Sequence, residues 1–188
     1  MLRILGISGS LRRGSHNTSL LRAAADLLPP GVELEVFGGL RQVPAYDADL
    51  DVEPADPAVD RLRWAIISAD AVLIATPEFN GSIPGVLKNA LDWASRPFPD
   101  NALRGKPVAV IGASTGLFGA VWAQAETRKV LEVIGADVID RELPVGQADT
   151  AFADEGRLAD DEMHAALDEL VGILASRAGA ATREQQAA

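Results

Sequence analysis

Three short segments of this 188-residue chain carry residue types whose spacing suits chemistry. The first is Ser8-Gly-Ser-Leu-Arg-Arg-Gly-Ser-His-Asn-Thr-Ser19, which lies between an apolar run and a segment of helical period. Small hydroxyl residues, glycines and exposed amides at a helix start suit a phosphate, because N–H groups and the helix dipole converge there. Arg12 or Arg13 would add a charge-assisted contact, with Ser10, Ser15, Asn17 and Thr18 as neutral donors. The plainer reading is an ordinary strand-to-helix turn capped by Ser15 or Asn17. Neither G-x-x-x-x-G-K-[ST] nor G-x-G-x-x-G is present, which disfavours a nucleoside-triphosphate loop and a dinucleotide fingerprint.

The second segment is Thr76-Pro-Glu-Phe-Asn-Gly-Ser-Ile-Pro-Gly85. Pro77 and Pro84 stiffen it, and Gly81 and Gly85 would let backbone approach a flat ligand. Glu78 reads either as a general acid or base or as a solvated helix-end carboxylate, the second being the simpler. Phe79 would flank a ring or pack on the core. The third segment, Gly112-Ala-Ser-Thr-Gly-Leu-Phe-Gly119, matches the G-x-S-x-G of a hydrolase nucleophile elbow. That rival would use Ser114 as nucleophile, one of Asp137, Asp140, Asp149 or Asp154 as the acid, and His164 as base. His164 falls in a helical pattern beside Met163, where a surface or boundary role is simpler.

These loops need elements to hold them. Apolar runs of strand length occur at Leu2 to Ile7, Val32 to Phe37, Ala71 to Thr76, Pro107 to Gly112 and, least clearly, Val138 to Leu143. The first, third and fourth are almost wholly apolar, as central strands of a covered parallel sheet are. Residues at helical spacing separate them: Leu20, Leu21, Ala24, Leu28; Val59, Leu62, Ile66; Val86, Leu87, Ala90, Leu91, Ala94; and Thr127, Val130, Leu131, Ile134. Met163, Leu167, Leu170, Val171 and Leu174 supply a final helix. Alternating βα units predict a doubly wound, flavodoxin-like sheet of five parallel strands in the order 2-1-3-4-5, forming one domain over residues 1–177. That order brings the loops after strands 1, 3 and 4 to one edge. Residues 178–188 lack periodicity and are expected to be a disordered tail.

Composition narrows the function classes. Without cysteine there is no disulfide framework, thiol nucleophile or Cys-ligated cluster, and two histidines leave little for a metal site. With 17 Lys+Arg against 27 Asp+Glu, nucleic acid and anionic membrane are poor partners. The 19-residue uncharged stretch from Pro107 to Ala125 is broken by Gly112 to Gly116 and reads as strand, turn and helix start rather than a membrane span. Met1 to Ile7 is too short for a secretion leader, so a cytoplasmic location is expected.

The three segments together resemble the NADPH-dependent FMN reductase family, which includes bacterial quinone and chromate reductases. Gly9 to Asn17 resembles its flavin-phosphate loop. Thr76 to Trp93 (TPEFNGSIPGVLKNALDW) is similar to its most specific stretch, and Ser114 to Gly119 fits its third loop. The resemblance implies FMN phosphate held by Ser10, Arg12, Ser15 and Asn17, with backbone help from Leu11, Arg13, Gly14 and His16. It implies Pro77, Glu78, Phe79 and Asn80, with Gly81 behind them, against the flavin ring, and Ser114 with Gly116 on its other side. Phe79 departs from the family's usual Tyr, which removes a phenolic hydroxyl and leaves ring stacking intact.

The implied activity needs no catalytic side chain and no metal, because FMN carries the chemistry at its N5 atom, between NADPH or NADH and a small-molecule acceptor. Quinones, free flavins, azo or nitro compounds and chromate are all acceptors of the implied type. The two substrates would share one face, giving ping-pong turnover. A homodimer or homotetramer is implied as well, with the helix Val86 to Ala94 and Trp93 as contact candidates, although Trp93 could equally pack internally. A flavodoxin-like electron carrier shares the fold and cofactor but would not turn over nicotinamide, and the Ser114 hydrolase is the remaining alternative.

Overall fold

The computed structural model describes residues 1–187, and a parallel sheet organises them. Strands β1 (Leu2–Ser8), β2 (Val32–Val36), β3 (Ala71–Thr76) and β4 (Pro107–Ala113) alternate with helices α1 (His16–Asp26), α2 (Pro57–Ile67), α3 (Gly85–Ala94), α4 (Val121–Ile134) and a last helix, α5 (Asp161–Ala187). The fifth strand position is filled by two dipeptides, β5 (Asp137–Val138) and β6 (Pro144–Val145), and the order is β2-β1-β3-β4-β5, with β6 also on β4. All pairings are parallel. This is the flavodoxin-like, doubly wound arrangement expected from the alternating runs.

Both faces of the sheet are covered, which explains why β3 and β4 are buried at every residue. Successive side chains point to opposite faces. Ile4, Leu73, Ala75, Ala109 and Ile111 join α1 and α5 in one core, while Leu5, Ile7, Val72, Ile74, Val108 and Val110 join α2, α3 and α4 in the other. The uncharged stretch from Pro107 supplies β4, a turn and the start of α4. No helix of the described residues is long and apolar enough to cross a membrane.

Two expectations need correction, and one open choice is decided. The run Val138 to Leu143 is not one strand, because the chain leaves the sheet after Val138 and returns at Pro144. Buried Gln124 fills the gap: its Oε1 accepts from the Leu143 N–H at 3.0 Å, while its Nε2 donates to the Gly119 carbonyl at 3.0 Å. The segment from Ala178 is not a loose tail but continues α5, since Ala178 is fully buried and Thr182 Oγ1 donates to Asp70 at 3.0 Å. Ala188, the last residue of that expected tail, lies outside the described residues. Finally, Trp93 is an internal residue. It is 1% exposed, donates to the Pro44 carbonyl at 2.9 Å and meets Tyr46 edge-on.

Candidate functional site

The loops that leave β1, β3 and β4 meet at the C-terminal edge of the sheet, where ligands of doubly wound folds bind. They enclose a cleft of about 230 Å³ lined by Ser10, Arg12, Ser15, His16, Asn17, Pro77, Glu78, Phe79, Ala113, Ser114 and Thr115. Leu11, Arg13, Gly14, Asn80, Gly81 and Gly116 are absent from its wall and belong to the turns behind it. Ala113 and Thr115 are lining residues that the sequence patterns did not single out.

The first loop is built as a helix N-terminus. Ser15 caps α1, its Oγ accepting from the Thr18 N–H at 3.3 Å, and that leaves its own O–H free to donate. His16 and Asn17 open the helix, so their N–H groups have no intrahelical acceptor. The first turn of α1 contains no acidic residue, and Arg12 and Arg13 stand exposed with no carboxylate partner among the described residues. An anion in the cleft would therefore meet aligned N–H groups and the uncommitted guanidinium of Arg12, with Arg13 next to it in the chain. The Leu11 carbonyl accepts from Arg41 at 2.7 Å, a tether from a distant turn that local sequence does not signal. His16 Nε2 lies 3.1 Å from Asp149, which draws the loop after β6 against α1.

Asn17 acts differently from a simple phosphate donor. Its amide group donates to the Ala113 carbonyl at 2.9 Å and accepts from the Ala113 N–H at 3.0 Å, so its side chain is spent on joining the first loop to the end of β4. What Asn17 can still offer a ligand is its backbone N–H.

The second loop is a tight hairpin. Phe79 and Ser82 exchange backbone hydrogen bonds at 3.2 Å, with Asn80 at φ 56 and Gly81 at φ 74 between them. Two successive left-handed residues define a type I′ turn, for which Asn-Gly is the preferred pair. Gly81 is thus required by the turn rather than by ligand approach. Glu78 is a helix-end carboxylate, but the helix is α4: its Oε2 accepts from the N–H groups of Trp122 and Ala123 at 3.0 and 3.1 Å. Ala120 gives α4 no side-chain cap, so Glu78 supplies the missing acceptor from another loop. Phe79 stays 58% exposed at the cleft, and Leu117, Phe118 and Trp122 are also exposed.

The third loop is pinned to the sheet. The Ser114 N–H donates to Val145, the Ser114 carbonyl accepts from Ala148, and the Gly116 carbonyl accepts from Gln147, each at 3.0 Å. Gly119 has φ 57, and a side-chain carbon there would sit 2.2 Å from the Pro144 carbonyl carbon, so only glycine lets the loop lie this close to β6. The Ser114 hydroxyl accepts from the Gly116 N–H at 3.1 Å and has no histidine partner among the described residues. His164 lies in α5, Asp149 pairs with His16 and Asp137 with Arg177. No nucleophile–base pair is assembled among the described residues, which removes the structural basis for the hydrolase reading.

Comparisons with known proteins agree with this geometry. The sequence model of the family described as NADPH-dependent FMN reductase matches residues 2–150, a span that holds all three loops and stops before α5. The chain is similar to an NAD(P)H-dependent FMN reductase of Pseudomonas aeruginosa, at 45% identity over 86% of each chain. A quinone reductase of Escherichia coli is 40% identical over 74% of each chain. Among solved structures, FerB, a flavoenzyme NAD(P)H:(acceptor) oxidoreductase from Paracoccus denitrificans, superposes with a TM-score of 0.83. It is 34% identical, with 95% of this chain and 98% of FerB covered.

Proposed function

Because the chain belongs to the NADPH-dependent FMN reductase family, we propose that the cleft between its three loops holds the FMN through which it oxidises NAD(P)H and reduces a quinone. The protein is an FMN-dependent NAD(P)H oxidoreductase. FMN, when bound, supplies the two-electron chemistry that the amino-acid side chains lack. In the net reaction NAD(P)H, a proton and a quinone become NAD(P)⁺ and a hydroquinone.

One observation carries the placement: the α1 N-terminus, free of acidic residues and flanked by unpaired Arg12 and Arg13, opens into the same cleft as Pro77, Phe79 and Ser114. The residues present fit the group. Arg12, the Ser10 and Ser15 hydroxyls and the N–H groups of His16 and Asn17 would hold the phosphate. Pro77 and Phe79 would bear on one part of the ring and Ser114 on another, with Glu78 holding the loops at a fixed distance. Exposed Phe79, Phe118 and Trp122 favour a flat apolar acceptor such as a quinone, because aromatic faces stack on planar rings. We further propose that the enzyme works in the cytoplasm and as a homodimer or homotetramer.

Purified protein should be yellow, or become so with added FMN, and anaerobic NADPH or NADH should bleach it within seconds. Readdition of a quinone should restore the colour. A chain that cannot be loaded with FMN would refute this placement, and a loaded chain that nicotinamide does not bleach would act as a carrier only.

A further inference from the structure

The hairpin after β3 and the first turns of α4 hold each other through two carboxylates that reach in opposite directions. Glu78, at the hairpin base, accepts from the N–H groups of Trp122 and Ala123. Glu126, one turn further along α4, reaches back: its Oε2 accepts from Ser82 Oγ at 2.6 Å and from the Ile83 N–H at 3.2 Å. Phe79, Asn80 and Gly81 lie between these two anchors, and of the three only Phe79 lines the cleft.

We infer that Glu126 is a positioning residue for the reaction, acting through Ser82 and Ile83 to fix the hairpin that presents Phe79 to the cleft. It rests on the FMN placement proposed above. Glu126 itself does not line the cleft, and among the described residues its hydrogen bonds go to Ser82 and Ile83 of the hairpin. A hairpin with one bridging pair has little stability of its own, so its orientation must be imposed from outside. Glu78 fixes one leg only, and Glu126 fixes the other. The Ser82 hydroxyl and then the Ile83 N–H hold the Glu126 carboxyl below the ordinary glutamate range, with Lys129 and Lys88 adding to the effect. The carboxylate is therefore ionised, the form in which a hydrogen bond of this kind is strongest.

The test compares Glu126→Ala and Glu126→Gln with wild type as FMN-loaded enzymes. Glu126→Ala should weaken FMN binding about three- to tenfold, the loss of one or two exposed charge-assisted hydrogen bonds. It should also change the circular dichroism of bound flavin and raise the quinone KM more than it lowers kcat. Glu126→Gln keeps an acceptor for Ser82 and Ile83 and should recover most of each change. If Glu126→Ala does not fold, Ser82→Ala removes the shorter of the two bonds and should give the same signature. Unchanged FMN affinity, flavin dichroism and quinone KM in these variants would overturn the role. Hydrogen exchange on the FMN-free chain separates this inference from the FMN placement. Faster exchange at the Ile83 N–H in Glu126→Ala supports the clamp even if wild type takes up no FMN, and unchanged exchange overturns it.

Discussion

Asn17 and Ala113, 96 positions apart in the chain, exchange two hydrogen bonds in the buried seam between α1 and β4. One side chain thereby fixes the distance between the loop that would take a phosphate and the loop that would face a ring. Asn17→Ala removes the side-chain donor from the Ala113 carbonyl and the side-chain acceptor from its N–H. Leaving buried groups unpaired costs more than the bonds contributed, so unfolding stability should fall by about 2 to 4 kcal/mol. FMN affinity should fall with it. Urea denaturation of the FMN-free protein measures the first effect apart from the second, and a stability loss under half a kilocalorie would contradict the coupling.

Arg12 offers the opposite case, a residue proposed to bind the ligand and free of any structural bond among the described residues. It is exposed and pairs with no carboxylate among the described residues. Arg12→Ala should weaken FMN binding by about 1 to 3 kcal/mol, as loss of a hydrogen bond to a charged group does. The urea midpoint of the FMN-free protein should barely move. Flavin fluorescence titration provides the binding measurement, and equal affinities would refute the contact.

The end of α5 belongs to the fold. Ala178 is buried in the core shared by α1 and α5, and Thr182 bonds Asp70, whose other oxygen accepts from the Arg3 N–H at 2.7 Å. A chain stopped after Arg177 should lose about 1 to 3 kcal/mol through exposed apolar surface and the missing hydrogen bond. A truncated protein as stable as the full chain in urea would restore the dispensable tail.

Lys106 gives a pH signature. Its ammonium donates to the carbonyls of Ile67 and Ala69 at the end of α2, at 3.3 and 2.5 Å. Burial lowers its pKa, and the Asp70 carboxylate offsets part of that. Between the lowered folded value and the ordinary lysine value of about 10.4, the unfolded chain binds more protons than the folded one. This group's contribution to stability must therefore rise with pH across that window. The stability difference between wild type and Lys106→Met should move in favour of wild type as pH is raised through it. Movement the other way would mean that the Lys106 pKa is raised.

Pattern reading reached furthest where structure is local. β1, β3 and β4 are continuous apolar runs because they are covered on both faces, and Ser15 is legible as a cap because caps are chosen by near neighbours. The failures share one cause. The break in the fifth strand depends on Gln124, the duty of Asn17 on Ala113, and that of Glu78 on a helix more than 40 residues away. Each partner is supplied by another part of the chain, so no spacing within a motif could disclose it. Trp93 is open to either a subunit contact or internal packing on sequence alone, because Pro44 and Tyr46, which cover it, arrive from a distant loop.

The two-dipeptide makeup of β5 and β6 bears on how the protein behaves in a crowded solution. A full outer strand would offer a row of unsatisfied amides on which another chain could add itself. Here that row is cut to two short pieces, while β2 at the other margin carries the exposed charges of Glu33 and Glu35. Short, charged margins give neighbouring chains poor templates for strand addition. The sheet can therefore be apolar throughout its middle strands without becoming a seed for aggregation.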